Sequence, residues 1–164
     1  MRHRRPLDAL FFGPSMTTEN GTLNFAIFFC QQLDPDQEAN RRALEKELGE
    51  RIRFYPLPCS GRIEALHLLR AIESGADKVF LVTCPFGACR YQEGNIRARK
   101  RLEFAQGLIE EIGFERERLE MVVASWPVPC SIAEIARELV GRDATLPPSP
   151  LHAENVEGAR TGAT

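Results

Sequence analysis

Asn24-Phe25-Ala26-Ile27-Phe28-Phe29-Cys30 is a nearly all-apolar run, too short for a helix, and it constrains the fold more than any other segment. A strand with one wet face alternates polar and apolar residues, whereas a continuous apolar run suits a strand covered on both faces. Such cover comes from helices packed on both sides of a parallel sheet. Residues 78–84, Lys78-Val79-Phe80-Leu81-Val82-Thr83-Cys84, repeat the signature and read as a central strand. Residues 51–59 alternate and carry Pro56 and Pro58, which predicts an edge strand. Residues 119–126, ending in Trp126, are a fourth strand.

Helical segments lie between these runs. Residues 37–48 form a charged helix stopped by Gly49. Residues 62–74 put Ile63, Leu66, Leu69 and Ile72 on one stripe and close at Gly75. Residues 95–112 place Ala98, Leu102, Ala105, Leu108, Ile109 and Ile112 on one face, and Gly113 ends them. Ser131 is expected to cap a last helix reaching about Val140. The alternation predicts an α/β fold: a three-layer parallel sheet of about four strands, flavodoxin-like or Rossmann-like, in the order 2-1-3-4. No G-x-G-x-x-G follows the first strand, so a dinucleotide fingerprint is absent.

The 164 residues suffice for one domain with a core, and 43% of them are hydrophobic. Lys plus Arg is 21 against 23 for Asp plus Glu, a net charge of -2 that excludes a strongly basic nucleic-acid binder. No apolar run approaches the roughly 20 residues that cross a bilayer. Met1-Arg2-His3-Arg4-Arg5 is followed by neither an adequate apolar region nor a cleavage site, so the expected location is the cytoplasm. Residues 1–22 read as an extended N-terminal arm, 23–142 as the α/β domain, and the Pro-rich 143–164 as a flexible C-terminal tail.

Five cysteines stand out. An odd number in a reducing compartment argues against a disulfide framework. Cys30, Cys59 and Cys84 end the first three strands, Cys89 lies just beyond the third, and Cys130 follows the fourth. In a parallel sheet all strand C-termini emerge along one edge, where ligand sites form. Adjacent strands are about 4.8 Å apart, so thiols distant in sequence become neighbours there. Three chemistries can use such a site: an iron–sulfur cluster, a zinc ion on four cysteines, or a catalytic thiol. The C-x2-C spacing of zinc ribbons is absent. Cys84-Pro85-Phe86-Gly87-Ala88-Cys89-Arg90 is a C-x5-R loop, the phosphate cradle of tyrosine phosphatases and arsenate reductases. It is followed by Tyr91 where that loop normally has Ser or Thr, and it leaves Cys30 and Cys59 unexplained.

The segment from Cys30 to Trp126 resembles the delta subunit of methyl-viologen-reducing hydrogenase. Cys59-Ser60-Gly61-Arg62, Gly75-Ala76-Asp77 and Cys84-Pro85-Phe86-Gly87-Ala88-Cys89-Arg90-Tyr91 with Gly94-Asn95 carry the resemblance, in order and at matching spacing. The family shows C-H-P-G-D-C-H-Y…G-N in the last of these. It also usually carries C-x-W-C after the first strand, where this chain has Cys30-Gln31-Gln32-Leu33. Cys130 has no obvious family counterpart. The resemblance implies a [2Fe-2S] cluster, for which Cys30, Cys59, Cys84 and Cys89 supply four thiolates. It implies an electron-transfer subunit between a hydrogenase- or formate-dehydrogenase-type donor and a heterodisulfide-reductase-A-like flavoprotein, in a cytoplasmic, flavin-based bifurcating complex of an anaerobe. A clusterless adaptor in such a complex is the alternative.

Around these residues, Ser60-Gly61 and Gly87-Ala88 are either sources of N–H···S bonds or ordinary tight turns. Arg90, Arg97, Arg99, Lys100 and Arg101 are either a docking patch for an acidic redox partner or a solvated helix face. Arg62, beside Cys59, can offset cluster charge. Trp126 reads as core or interface, His67 as a packing residue, and His3 and His152 as parts of the chain ends.

Overall fold

In a computed structural model, residues 22–125, 129–142 and 146–152 are described. The expected N-terminal arm up to residue 21, Trp126, and residues 143–145 and 153–164 lie outside them. The chain runs β1 (Phe25–Cys30), α1 (Gln37–Leu48), β2 (Ile52–Leu57), α2 (Ala65–Glu73), β3 (Lys78–Thr83), α3 (Gly94–Glu111), β4 (Leu119–Val123) and α4 (Ile132–Arg142). The four strands are all parallel, in the order β2-β1-β3-β4. This is the expected α/β architecture and strand order.

Every residue of β1 and β3 is buried, because both strands are interior and helices cover both faces. Pro56 sits on the edge strand β2, paired in register with Phe29, where its missing N–H costs least. Alternation along the strands divides the core in two. Ala26, Phe28, Val79 and Leu81 pack with Leu68, Ile72, Ala98 and Leu102 beneath α2 and α3. Phe25, Ile27, Phe29, Phe80 and Val82 pack with Leu44, Ile132 and Ala136 beneath α1 and α4. Phe28 stacks on Tyr55 at 4.7 Å and Phe29 meets Phe54 edge-on, so aromatic pairs fix β1 against β2.

The helix starts differ from the sequence expectation in instructive ways. Residues 60–62 form a short 3-10 turn, and α2 begins only at Ala65. Glu64 and His67 form a reciprocal cap: the His67 backbone bonds the Glu64 side chain, and the Glu64 N–H donates to His67 Nδ1 at 3.0 Å. His67 therefore caps the helix, where a packing role was expected. At α4 the first N–H, that of Ile132, donates to Asp34 Oδ2 at 2.9 Å. A carboxylate at that position also complements the helix dipole.

The N-terminal edge of the sheet is held by two buried charged residues. Asp77 Oδ2 accepts the Asn24 N–H at 2.7 Å, and its Oδ1 accepts the Ser149 N–H at 2.5 Å and lies 3.0 Å from His152 Nε2. Fully buried Arg118 donates to the carbonyls of Asp77, Pro147 and Pro148, and its Nε pairs with Glu115 at 2.5 Å. The Arg118 guanidinium holds the Glu115 carboxyl below its usual range. Composition predicts no packing for 143–164, yet residues 146–152 lie against this edge, because three proline and serine backbone groups find buried charged partners there.

Candidate functional site: four thiols at the C-terminal edge of the sheet

β1 ends at Cys30 and β3 at Thr83, and these neighbouring strands bring Cys30 and Cys84 side by side. Their sulfurs are 3.5 Å apart and buried. The 3-10 turn after Cys59 packs over the ends of β1 and β3 and against α3. It is pinned by Arg101, whose Nη1 donates to the Gly61 and Ile63 carbonyls at 2.8 and 2.6 Å. Cys59 and Cys89 then form a second pair, with their thiols in hydrogen-bonding contact. The four sulfurs sense one another electrostatically across the pairs, Cys59 with Cys30 and Cys84 with Cys59 and Cys89.

Backbone shape makes the room for these thiols. A Cβ on Gly94, the first residue of α3, would fall 2.4 Å from Cys59 Sγ and 3.0 Å from Cys89 Sγ. A Cβ on Gly61 would fall 2.8 Å from the Gly94 Cα. The two glycines thus let the turn and the helix start touch backbone to backbone, and the second pair of thiols sits on the space left free. Asn95 Nδ2 holds the strand-to-helix loop closed through the Cys84 and Pro85 carbonyls, at 3.1 Å each. Gln92, with φ 62°, takes the left-handed turn that leads the loop into α3.

The thiols do not titrate independently. A hydrogen bond from Cys84 lowers the Cys30 thiol to about 6, against burial, and backbone N–H groups of Gln32 and Ser60 help. Cys84 moves the opposite way, raised by that same bond to Cys30 and then by burial. The two shifts describe one proton shared between two sulfurs, with Cys30 the more acidic partner. Burial raises Cys59, against an N–H bond from Gly61. The expected N–H···S donors at Ser60 and Gly61 are therefore present. Ala88 differs: its N–H donates to Pro85 at 3.1 Å, so that segment contains an ordinary turn.

The remaining sequence candidates fall elsewhere. Cys130 donates its N–H to the Leu33 carbonyl at 2.9 Å, and its thiol is raised by burial and by Asp34 and Glu134. Leu33, at the position of a family cysteine, is buried in the core beneath α1 and α4. The phosphate-cradle reading meets two obstacles. Cys84 is buried with a raised pKa, the reverse of an activated thiol, and exposed Arg90 donates to Gln32 Oε1 at 3.2 Å. Within the basic group, Arg97 pairs with Glu93 and Arg99 with Glu103, as on a solvated helix face. Arg99 also lies over the exposed Phe86 ring, and Arg101 is committed to the turn. Arg62 is exposed and lines, with Pro58, Tyr91 and Arg97, a cleft of about 500 Å³ beside Cys59.

Sequence reasoning missed Gly94 as a cradle and Asp34 and Asp77 as anchors. It also missed three buried polar atoms without a partner near the thiols: Ser60 Oγ, Thr83 Oγ1 and Asn95 Oδ1. Only the position of Ser60 and Thr83 next to cysteines could have pointed to them. Among the described residues, no three or more His, Cys, Asp or Glu side chains close around a single point as one metal ion would need.

A parallel α/β domain with paired thiols at its strand ends defines a class of small thiol-site domains. The comparisons give the family: residues 26–145 match methyl-viologen-reducing hydrogenase, delta subunit, and the chain belongs to that family. It is 34% identical over 103 residues to the iron-sulfur subunit of the vhu F420-non-reducing hydrogenase of Methanocaldococcus jannaschii, covering 63% of this chain and 77% of that one. It is 35% identical over 95 residues to the iron-sulfur subunit of the F420-non-reducing hydrogenase of Archaeoglobus profundus, covering 58% and 67%. It is also 38% identical over 68 residues to the A component of the ferredoxin:CoB-CoM heterodisulfide reductase of Methanosarcina mazei, covering 42% of this chain and 9% of that much longer one.

Proposed function

We propose that the chain is an electron-transfer subunit of a larger redox complex and holds a [2Fe-2S] cluster on Cys30, Cys59, Cys84 and Cys89. The observation that carries this reading is the meeting of four sequence-distant sulfurs at one rim, in two contacting pairs over a glycine cradle. A tetrahedral metal with thiolates at about 2.3 Å holds neighbouring sulfurs roughly 3.8 Å apart. The 3.5 Å between Cys30 and Cys84 is close to that spacing, and a two-iron cluster takes two thiolates on each iron. The orphaned hydroxyls beside the cysteines and the donor set, thiolates only, suit the same group.

Bound there, the cluster supplies a one-electron couple. The chain's own residues hold and tune it. Backbone N–H groups of Gln32, Ser60 and Gly61 donate to ligand sulfurs and favour their charged form. Arg101 keeps the Ser60–Arg62 turn closed, so the second thiol pair stays over Gly94. Exposed Phe86 and Tyr91, with Arg90 and Arg97, form the face nearest the thiols and suit a partner surface that is apolar at its centre and acidic at its rim.

The relatives' names support the setting. Hydrogenase and heterodisulfide reductase components frame a donor of hydrogenase or formate-dehydrogenase type and a flavoprotein acceptor of heterodisulfide-reductase-A type, in a bifurcating complex. Among the described residues no helix is long and apolar enough to cross a membrane. The cytoplasm of an anaerobe is the location this reading gives.

The test is anaerobic purification with iron and acid-labile sulfide assays. Two irons and two sulfides per chain are expected. A colourless chain that still co-purifies with a flavoprotein would replace this reading with a clusterless adaptor.

A further inference from the structure

We propose that the hydroxyls of Ser60 and Thr83 donate hydrogen bonds to sulfurs of the cluster and hold its reduction potential up. This rests on the cluster reading above. Both side chains are completely buried, and neither oxygen has a hydrogen-bond partner in the protein. Buried hydroxyls in native proteins nearly always find one, so an acceptor is missing from the protein's own atoms at both places. The two share a neighbourhood. Thr83 precedes Cys84 at the end of β3, and Ser60 follows Cys59 in the turn packed over that strand end.

Strand alternation sets Thr83 on the face of Val79 and Leu81, the side on which α3 begins with Gly94 and Asn95. A valine would fill the Thr83 position with the same branching and no hydroxyl to satisfy. The acceptors lacking at this rim are those that cluster sulfurs bring. Asn95 Oδ1, the third orphan, is itself an acceptor, and its amide nitrogen is spent on the Cys84 and Pro85 carbonyls, so it has no part in the proposal. Sulfur carries more negative charge in the reduced state, so an O–H donor favours reduction. Loss of a donor therefore lowers the potential.

The experiment is a redox titration of the full-length chain, anaerobically loaded, with iron content measured on each sample. Ser60→Ala and Thr83→Val are compared with Ser60→Thr and Thr83→Ser, which keep the hydroxyl. For each donor removed, the reduced-to-oxidised ratio at fixed potential falls roughly tenfold, a downward shift of about 59 mV for one electron. The hydroxyl-keeping variants return towards the wild-type value. Loaded Ser60→Ala and Thr83→Val chains that titrate with the wild type would overturn the proposal. Should one of them fail to load, the other decides the matter. A wild-type chain that takes up no iron sinks the parent reading instead, and that result is visible before any variant is made.

Discussion

Cys84→Ser is expected to leave the anaerobically prepared chain with little or no bound iron and sulfide, while Cys130→Ser retains both at the wild-type level. Cys84 belongs to the tightest thiol pair, 3.5 Å from Cys30, and is buried where a weaker serine ligand has no water to help it. A ligand must lose its proton to bind metal. The Cys30–Cys84 pair already shares one proton between two sulfurs, with Cys30 lowered to about 6. Cys130 stands in the reverse environment, its thiol raised by burial and by Asp34 and Glu134. Its backbone is tied to the Leu33 carbonyl and its side chain packs on the core beneath α1 and α4. Iron and sulfide assays on the two variants check the contrast. Loss in Cys130→Ser with retention in Cys84→Ser would reverse the ligand assignment.

Asp77→Ala has the largest expected effect on stability, about 3–5 kcal/mol in urea unfolding. Removing the carboxylate leaves the buried Asn24 and Ser149 N–H groups without acceptors, and each orphan costs about 1–3 kcal/mol. The contact to His152 is lost as well, and the stretch 146–152 keeps only its Arg118 anchors. For a chain of this size the loss lowers Tm by roughly 10 °C. His152→Ala removes one partly buried contact and is expected to cost about 1 kcal/mol. Because Asp77 lies at the opposite edge of the sheet from the thiols, iron content per folded chain stays unchanged. Equal, small losses in Asp77→Ala and His152→Ala would show that the latch is not an anchor.

The strands and their order were legible because burial on both faces writes itself into β1 and β3 as unbroken apolar runs. The gathering of the cysteines was legible for a related reason: a parallel sheet sends every strand end to one edge, so position in the pattern stands in for position in space. The anchors were not legible. Asp34 caps a helix that starts 98 residues later in sequence, and Asp77 binds a backbone group 72 residues away. Each looks like an ordinary turn aspartate until tertiary packing supplies the partner. Gly94 reads as a residue before a helix, and only the approach of Cys59 and Cys89 gives its missing Cβ a meaning. The basic cluster also divides in a way that composition cannot show. Arg101 turns inward to the 3-10 turn, while Arg97 and Arg99 remain on the exposed helix face.

Electron paramagnetic resonance of the anaerobically prepared, chemically reduced full-length chain tests the central claim most directly. A [2Fe-2S] cluster on four thiolates gives, after one-electron reduction, a signal integrating to about one spin per chain. That signal should vanish in the Cys30, Cys59, Cys84 and Cys89 serine variants and persist in Cys130→Ser. A wild-type chain that stays silent after reduction, with its four thiols freely alkylated, would contradict the account.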